Sequence, residues 1–175
     1  MCTILKGYEM LSLAKSLAIS SLVFAGAIFG FFYAWVCSTM WGLDTLDPRT
    51  AIAAMNAMNG SVRNAVFAPA FFGTPVVLAI AAIALKLANE RGASIWFATA
   101  AAVSLLFGTL LTMAVNVPMN EALALVDIPD DRVAAQVIWE GYSPKWQFWN
   151  QARTVASGVA LLLACIGLTK ISKTA

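Results

Sequence analysis

The segment WEGYSPKWQFWNQARTVAS, residues 139–157, is the most informative part of this sequence. Large aromatic side chains, an amide and an arginine recur in it, immediately before an almost uncharged apolar run. In a helix, side chains at i, i+3, i+4, i+7 and i+11 share one face, which here would carry Trp146, Trp149, Asn150, Arg153 and Ser157. An arginine entering a membrane is costly unless it is paired or lines a polar cavity. The segment therefore predicts a polar and aromatic pocket at one end of a membrane bundle.

The composition around this segment is that of a membrane protein. Of 175 residues, 61% are apolar and 11% are charged, whereas soluble domains carry about a quarter charged residues. A spanning helix needs about 20 apolar residues, and four runs approach or reach this length, at about residues 17–37, 66–85, 93–115 and 151–168. Little sequence is left for a soluble domain. We predict an all-α integral membrane four-helix bundle that occupies residues 17–168.

The remaining segments are predicted to lie outside the membrane. Residues 1–16 form a mildly basic lead, residues 169–175 a short tail, and the long connections 38–65 and 116–150 helical caps. Lysine and arginine flank the spans at both termini and at the short second connection, whereas most acidic residues lie in the two long connections. The positive-inside rule then places both termini in the cytoplasm. We expect a protein of the bacterial inner membrane.

Several function classes are excluded or disfavoured by composition. The chain has no histidine, which removes His-ligated haem, His-based zinc or copper sites, and Ser-His or Cys-His nucleophiles. Three scattered cysteines are too few for a disulfide framework. A net charge of +2 without a basic cluster gives no reason to expect a nucleic-acid partner. We predict no metal site, and no cofactor motif is recognisable, although the sequence leaves a bound cofactor open.

The first long connection is predicted to bring polar side chains to the pocket. Asp47 and Pro48 have the pattern of an N-cap and first helical turn. In the helix that follows, Asn56, Asn59 and Arg63 share one face, which leads directly into the second span. The alternative is a surface helix whose amides face water.

The end of the third span carries a second strip of amides. Asn116 and Asn120 flank a predicted break at Pro118 and point toward the membrane end that holds the arginine. A buried amide without a partner is expensive, so these two favour a pocket more strongly than Thr109 and Thr112, which can bond their own helix. After an acidic bend, residues 133–139 are predicted to form an amphipathic helix that ends before Gly141 and Pro144, as a lid over the bundle.

The outer half of the first span is rich in aromatic residues, namely Phe29, Phe31, Phe32, Tyr33 and Trp35, with Trp41 beyond. An aromatic belt at the membrane interface explains the tryptophans. The phenylalanines and the tyrosine could instead line an aromatic pocket. The sequence leaves both interpretations open.

Taken in order, these residues resemble a known family. The motif Asn116-Val-Pro118-Met-Asn120 is followed by Trp139, Tyr142, Trp146, Trp149-Asn150 and Arg153-Thr154, and preceded by Met55, Asn59 and Phe71-Phe72-Gly73. This set resembles the anthrone oxygenase-like family of four-helix membrane proteins, over about residues 20–168. The resemblance implies a membrane bundle and, as in some fungal members, oxidation of anthrones to anthraquinones by molecular oxygen. It assigns no functional residue.

The residues themselves suggest a site for such chemistry. Deprotonation of an anthrone gives an electron-rich enolate, which needs flat apolar walls, donors for the oxyanion, and a base. Among the proposed catalytic residues, Arg153 and Asn150 would donate to the oxyanion. The candidates for the base are Glu121, Glu140 and a phenolate, and Glu121 is preferred because it adjoins Asn120. Glu121 fits even better as the counter-ion of the buried arginine. The predicted substrate-binding residues are Asn116, Asn120, Asn59, Arg63, Tyr142, Trp146, Trp149 and Trp139.

A non-catalytic protein is the competing hypothesis. The same polar side chains could form a satisfied network that locks the helices together, while the protein binds a lipid, a quinone or a partner subunit. The lack of a well-placed base favours this alternative, and the number of polar side chains aimed at one end favours an enzyme. Gly26 and Gly30 form a GxxxG motif, which allows close packing within the bundle or a homo-oligomer. In either case the expected ligand is a hydrophobic aromatic molecule or quinone in contact with membrane lipid.

Overall fold

The computed structural model describes the backbone of residues 2–172 and the surroundings of side chains 7–172. Residues 1 and 173–175, at the ends of the predicted lead and tail, lie outside the described part. Within that part the regular structure is entirely helical. Four helices are long and apolar enough to cross a membrane: Gly7–Asp44, Phe67–Leu87, Arg91–Ala124 and Arg132–Thr169. The predicted all-α membrane four-helix bundle is confirmed.

Two of the four spanning helices contain π-helical turns. The first consists of α1 (Cys2–Ala34), a π-helical turn (Trp35–Thr39) and α2 (Met40–Asp44). The cap helix α3 (Pro48–Ser61) precedes the second spanning helix, α4 (Phe67–Leu87). The third consists of α5 (Arg91–Val103), two π-helical segments (Ser104–Leu110 and Thr112–Asn116) and α6 (Val117–Ala124). The fourth is α7 (Arg132–Thr169).

The four helices pack in a square, in which each contacts the next and the fourth contacts the first. One end of this square, here called the closed end, is filled by apolar side chains, most of them alanine or leucine: Ala14, Ala18, Leu78, Ala81, Leu85, Ala93, Phe97, Ala100 and Ala164. At Gly167 a Cβ atom would lie 2.8 Å from Cδ2 of Phe97. Only glycine therefore allows α7 to approach α5 this closely.

The cap helix α3 covers the opposite end, where it packs on α6 and α7. It begins as predicted: the carboxylate of Asp47 accepts a hydrogen bond from the backbone N–H of Arg49 at 3.0 Å. The Arg49 guanidinium also donates to this carboxylate at 2.9 Å. The resulting side-chain hydrogen bond lowers the pKa of Asp47 to about 2. Arg49 donates further to the main-chain oxygen of Asp130 at 2.8 Å and so ties α3 to the loop before α7.

The predicted interruptions at two prolines are wrong. Pro144 lies inside α7, which continues without a break from Arg132 to Thr169. Pro118 lies in the first turn of α6, directly after a π-helical segment, and the chain stays helical there. An exposed proline costs a helix one hydrogen bond, and the packing of these long helices tolerates that loss. The predicted separate lid is therefore the first turns of α7 itself.

Candidate active site

A cavity of about 600 Å³ lies between the spanning helices beneath the cap helix. Its volume falls in the range of about 300–1,000 Å³ that is typical of small-molecule sites. Most of the residues that line it are apolar, and those with aromatic rings are Phe31, Phe32, Trp35, Phe67, Phe71, Phe72 and Trp146. The polar and charged residues of the wall are Asn59, Arg63, Asn64, Thr112, Asn120, Glu121 and Arg153. We call this half of the bundle the cavity end.

The aromatic wall is built from rings that support one another. Phe67 and Phe71 stack with their ring centroids 5.4 Å apart, and Phe31 lies 4.7 Å from Phe67. The rings of Trp35, in the first spanning helix, and Trp146, in the fourth, contact each other with their centroids 5.1 Å apart. Such contacts fix the rings in place beyond the effect of burial alone. The wall thus offers flat apolar surfaces to a ligand.

Arg153 is the most unusual group of the site, because it is only 5% exposed and forms no ion pair within the described part of the chain. Its Nε donates to Oδ1 of Asn150 at 2.9 Å, and its Nη1 donates to Oγ1 of Thr112 at 3.2 Å. The guanidinium carbon lies 4.3 Å from the ring centroid of Phe32 and 5.1 Å from that of Trp146. No carboxylate in the described part of the chain forms an ion pair with it. Neutral oxygens and aromatic faces alone stabilise this cation.

Asn150 holds the arginine in position. Its side chain is 1% exposed and bridges two helices, because Nδ2 donates to the main-chain oxygen of Phe32 at 3.3 Å while Oδ1 accepts from Arg153. It does not line the cavity. Its position therefore fits a positioning role for Arg153 rather than direct contact with a ligand.

Glu121 lies at the rim of the cavity and is not the counter-ion of Arg153, so that prediction is wrong. Its carboxylate pairs with Arg63 at 3.1 Å, and both side chains are more than half exposed. The reason is geometric: Glu121 follows Asn120 on α6 and turns outward toward the end of α3, whereas Arg153 points into the bundle. The ion pair at the rim and Arg153 in the interior nevertheless line the same cavity.

Asn120 joins three of the predicted site residues in one network. Its Oδ1 accepts from Oη of Tyr142 and from Nε1 of Trp146, each at 2.8 Å. Its Nδ2 donates to Oδ1 of Asn59 at 3.0 Å. The network connects α3, α6 and α7 at the cavity wall, as the shared faces of these segments predicted. Nδ2 of Asn59 is buried and finds no partner among the described residues.

Four predicted binding residues do not line the cavity, and Tyr142, which bonds Asn120, is one of them. Asn116 is fully buried, and its Nδ2 makes a long contact of 3.5 Å with the main-chain oxygen of Trp146. Trp139 lies two turns of α7 before Trp146, in the core under the cap. Its indole N–H donates to Oδ1 of Asp44 at 2.9 Å. Trp149 stacks edge-on against Phe148. These residues contribute to the frame of the site and not to its wall.

The structure also shows which aromatic residues of the first span line the cavity. Phe31, Phe32 and Trp35 of the first helix line the cavity, whereas Tyr33 and Trp41 are more than half exposed. As expected, the hydroxyl of Thr112 donates to its own helix, to the main-chain oxygen of Gly108 at 2.6 Å. The same hydroxyl oxygen accepts from Arg153. The aromatic run of the first span was the signal in the sequence for these wall residues. The sequence alone did not decide between an interfacial belt and a pocket wall.

The π-helical turns coincide with this site. Trp35 opens the π-helical turn of the first spanning helix, and Thr112 opens the second π-helical segment of the third. Wide turns of this kind are frequent at functional sites, because the extra residue redirects side chains. Among the described residues no group of three or more His, Cys, Asp or Glu is placed to hold a metal ion.

The fold and the cavity define a class: a four-helix membrane protein with a polar and aromatic pocket under a helical cap. Comparison with protein families then identifies it further. The sequence model of the anthrone oxygenase family matches residues 64–163, which is more than half of the chain. The chain belongs to the anthrone oxygenase family. No curated protein and no solved structure matches it.

The matched range includes α4, the third spanning helix and most of α7, with Asn120, Trp146 and Arg153. The family resemblance expected from the sequence is therefore confirmed. The first spanning helix, which contributes Phe32 and Trp35 to the cavity, precedes the matched range.

Proposed function

We propose that this protein oxidises a flat, anthrone-like aromatic compound with dioxygen inside the cavity. The observation that carries the proposal is Arg153, a buried cation without an acidic partner among the described residues, at the wall of a cavity rich in aromatic rings. Its charge is available to an anion that forms in the cavity. In the overall reaction an anthrone and one O₂ give an anthraquinone and one H₂O.

The aromatic wall would hold the substrate and Arg153 would bind its oxygen. The rings of Phe67, Phe71 and Trp146 offer flat surfaces against which a fused ring system can stack. With its carbonyl oxygen toward Arg153, loss of a benzylic proton puts negative charge on that oxygen. A fixed donor in a site of low dielectric stabilises this charge more in the transition state than in the ground state.

Glu121 is our candidate for the base. Its carboxylate lines the cavity and pairs with Arg63 at 3.1 Å at the rim. The carbanion then passes one electron to O₂, and the substrate radical combines with superoxide to a hydroperoxide anion, which takes up a proton. Loss of water across the C–O–O–H group forms the second carbonyl and completes the balance.

The test uses protein purified into phosphatidylcholine nanodiscs, with 1,8-dihydroxyanthrone as substrate. Oxygen uptake and anthraquinone absorbance are measured against empty nanodiscs, which report spontaneous oxidation. Arg153→Met should lower kcat/KM by about a hundredfold, the loss expected for one oxyanion donor. Arg91→Met, an exposed arginine at the start of α5, is the matched control and should leave the rate unchanged.

Wild-type protein that does not exceed empty nanodiscs would sink the proposal. So would an Arg153→Met variant that remains monodisperse, helical and fully active. If Arg153→Met does not fold, Arg153→Lys keeps the positive charge without the fork of donors. It should then fold and show an intermediate rate.

A non-catalytic binding protein is the second candidate, and the network around Asn120 favours it. This network is satisfied almost entirely within the protein and bridges three helices, as a purely structural lock would. In that case an anthraquinone or another quinone would bind in the cavity, while oxygen uptake with the anthrone would stay at background. Binding without turnover therefore decides between the two.

We also propose that both termini face the cytoplasm of a bacterial cell, so that the cavity lies near the outer face of the inner membrane. The distribution of lysine and arginine supports this orientation. Single cysteines at Lys170 and at Arg63, introduced after replacement of the native cysteines, test it. A membrane-impermeant maleimide should label only the second in intact cells, and the reverse pattern would contradict the orientation.

A further inference from the structure

We infer that the cavity is entered sideways from the bilayer, through an opening between the second and third spanning helices. The substrate would then be an aromatic compound dissolved in the membrane, taken up without passing through water. This inference relies on the proposed function for the kind of ligand, and on the structure for the route. We call the opening the lateral portal and define it by Phe72, Met113 and Val117.

The first observation is that the cavity wall continues onto the lipid-facing surface. Phe72 and Met113 both line the cavity, yet they are 51% and 45% exposed. Each side chain therefore has one side toward the cavity and one toward the surroundings of the bundle. Since both lie within spanning helices, those surroundings are lipid or its interface.

The second observation is that the two helices separate at this level. α4 packs closely on α5 and on the π-helical segment Ser104–Leu110. It makes little or no contact with the segment Thr112–Asn116 or with α6. Beyond its segment Ser104–Leu110 the third spanning helix thus diverges from α4, and the cavity begins at this level. Apolar side chains line the gap, and an apolar ligand can pass them without desolvating a charge.

The third observation is that the cap side of the cavity is bridged by polar contacts. The ion pair between Arg63 and Glu121 joins the end of α3 to α6, and the hydrogen bond between Asn59 and Asn120 does the same one turn deeper. A hydrophobic molecule arriving from water would have to pass these charged and amide side chains. From the lipid side it meets only the portal, with Arg153 deeper in the wall.

The experiment measures binding rather than turnover, with 1,8-dihydroxyanthraquinone as a ligand that cannot be oxidised further by this reaction. Association and dissociation rates are followed by quenching of tryptophan fluorescence in phosphatidylcholine nanodiscs. Met113→Trp narrows the portal and should slow both rates by about tenfold while Kd changes less than about twofold. Leu106→Trp places the same ring on an exposed position of the same helix, away from the cavity, and should change neither rate.

A third variant, Ala65→Trp, places the ring at the rim on the cap side. If Ala65→Trp slows association and Met113→Trp does not, the ligand enters from water and the inference is overturned. Unchanged rates in Met113→Trp, or no binding to the wild-type protein, overturn it as well. Phe72→Trp replaces Met113→Trp should that variant fail to fold.

A second measurement compares nanodiscs of two lipid compositions that differ in the partition coefficient of the ligand, at a matched free aqueous ligand concentration. For entry through the lateral portal, the association rate follows the mole fraction of ligand in the bilayer, whereas entry from water makes it follow the free aqueous concentration. Portal-dependent binding without anthrone oxidation would refute the proposed function and leave the route intact. Anthrone oxidation at a rate that Met113→Trp does not change would refute the lateral route and leave the proposed function intact.

Discussion

The two ends of the bundle are built from the same four helices but packed by opposite means. At the closed end, alanine, leucine and phenylalanine side chains fill the space, and Gly167 leaves room for the ring of Phe97 against α7. At the cavity end, aromatic rings and amides surround about 600 Å³ of open volume. Association of helices in lipid relies on close van der Waals contact. The closed end supplies that contact, which leaves the cavity end free to keep an open chamber.

The cavity end needs a different kind of support, since it gives up part of its packing. Its helices are held by directed contacts: the ring pair Trp35 and Trp146, the network on Asn120, and the bridge from Arg49 to the loop before α7. Hydrogen bonds fix direction as well as distance. The comparison therefore predicts that stability resides mainly at the closed end and site geometry mainly at the cavity end.

The largest effect is expected from truncating one phenylalanine at each end. Phe97→Ala at the closed end, where the ring is fully buried, should lower the free energy of unfolding by about 3 kcal/mol or more. Phe71→Ala at the cavity wall removes a ring that already borders open space, so it should cost about 1–2 kcal/mol. Unfolding in detergent, followed by circular dichroism, gives both values. Equal losses would show that the two ends are packed alike.

A smaller effect is expected from breaking the network at the cavity end. Asn120→Leu leaves the Tyr142 hydroxyl and the Trp146 indole N–H without their acceptor, at a cost of about 2 kcal/mol in total. Anthraquinone binding should weaken in parallel, because Trp146 loses its fixed orientation. Asn56→Leu is the matched control, since Oδ1 of Asn56 is buried without a described partner. It should be neutral or slightly stabilising, and an equal loss in both variants would contradict the role of the network.

The smallest effect concerns the start of the cap helix. The folded-state pKa of Asp47, about 2, lies below its ordinary value of 3.8 because Arg49 donates to the carboxylate. A lowered pKa means that the ionised form stabilises the fold fully above pH 3.8, and that this stabilisation is lost as the pH falls toward 2. Asp47→Asn keeps a capping oxygen but removes the ion pair. Its Tm should lie slightly below that of the wild type at pH 5, and the difference should vanish near pH 2.

Much of this organisation could be predicted from the sequence. The four apolar runs gave the bundle, and helical spacing brought Asn59, Asn120 and Trp146 together, because residues on one helical face must meet whatever packs against that face. The N-cap at Asp47 followed from local chemistry alone. Each of these inferences needs only the period of a helix and the preference of a single position.

Other features depend on how helices are rotated and how far apart they are, which periodicity does not determine. Trp139 shares its helical face with Trp146. It lies two turns earlier in α7, about 10 Å away, and so outside the cavity. The partner of Arg153 could not be predicted, because a search for an acidic residue overlooks Thr112 and the ring of Phe32. The prolines misled for a similar reason, since tertiary packing overrides a local breaker.

The wide turns of the third spanning helix have a consequence for how its two halves are related. Each residue in an α-helix turns the chain by about 100°, so a π-helical turn, which closes over five residues instead of four, shifts the angular phase of everything beyond it. The segments Ser104–Leu110 and Thr112–Asn116 stand between α5, anchored at the closed end, and α6, which carries Asn120. The site is thus set by an angular offset between two halves of one helix. Removing a single residue from these turns would leave the packing of α5 and the assembly of the bundle in place. It would rotate the side chain of Asn120 about the helix axis, away from the site.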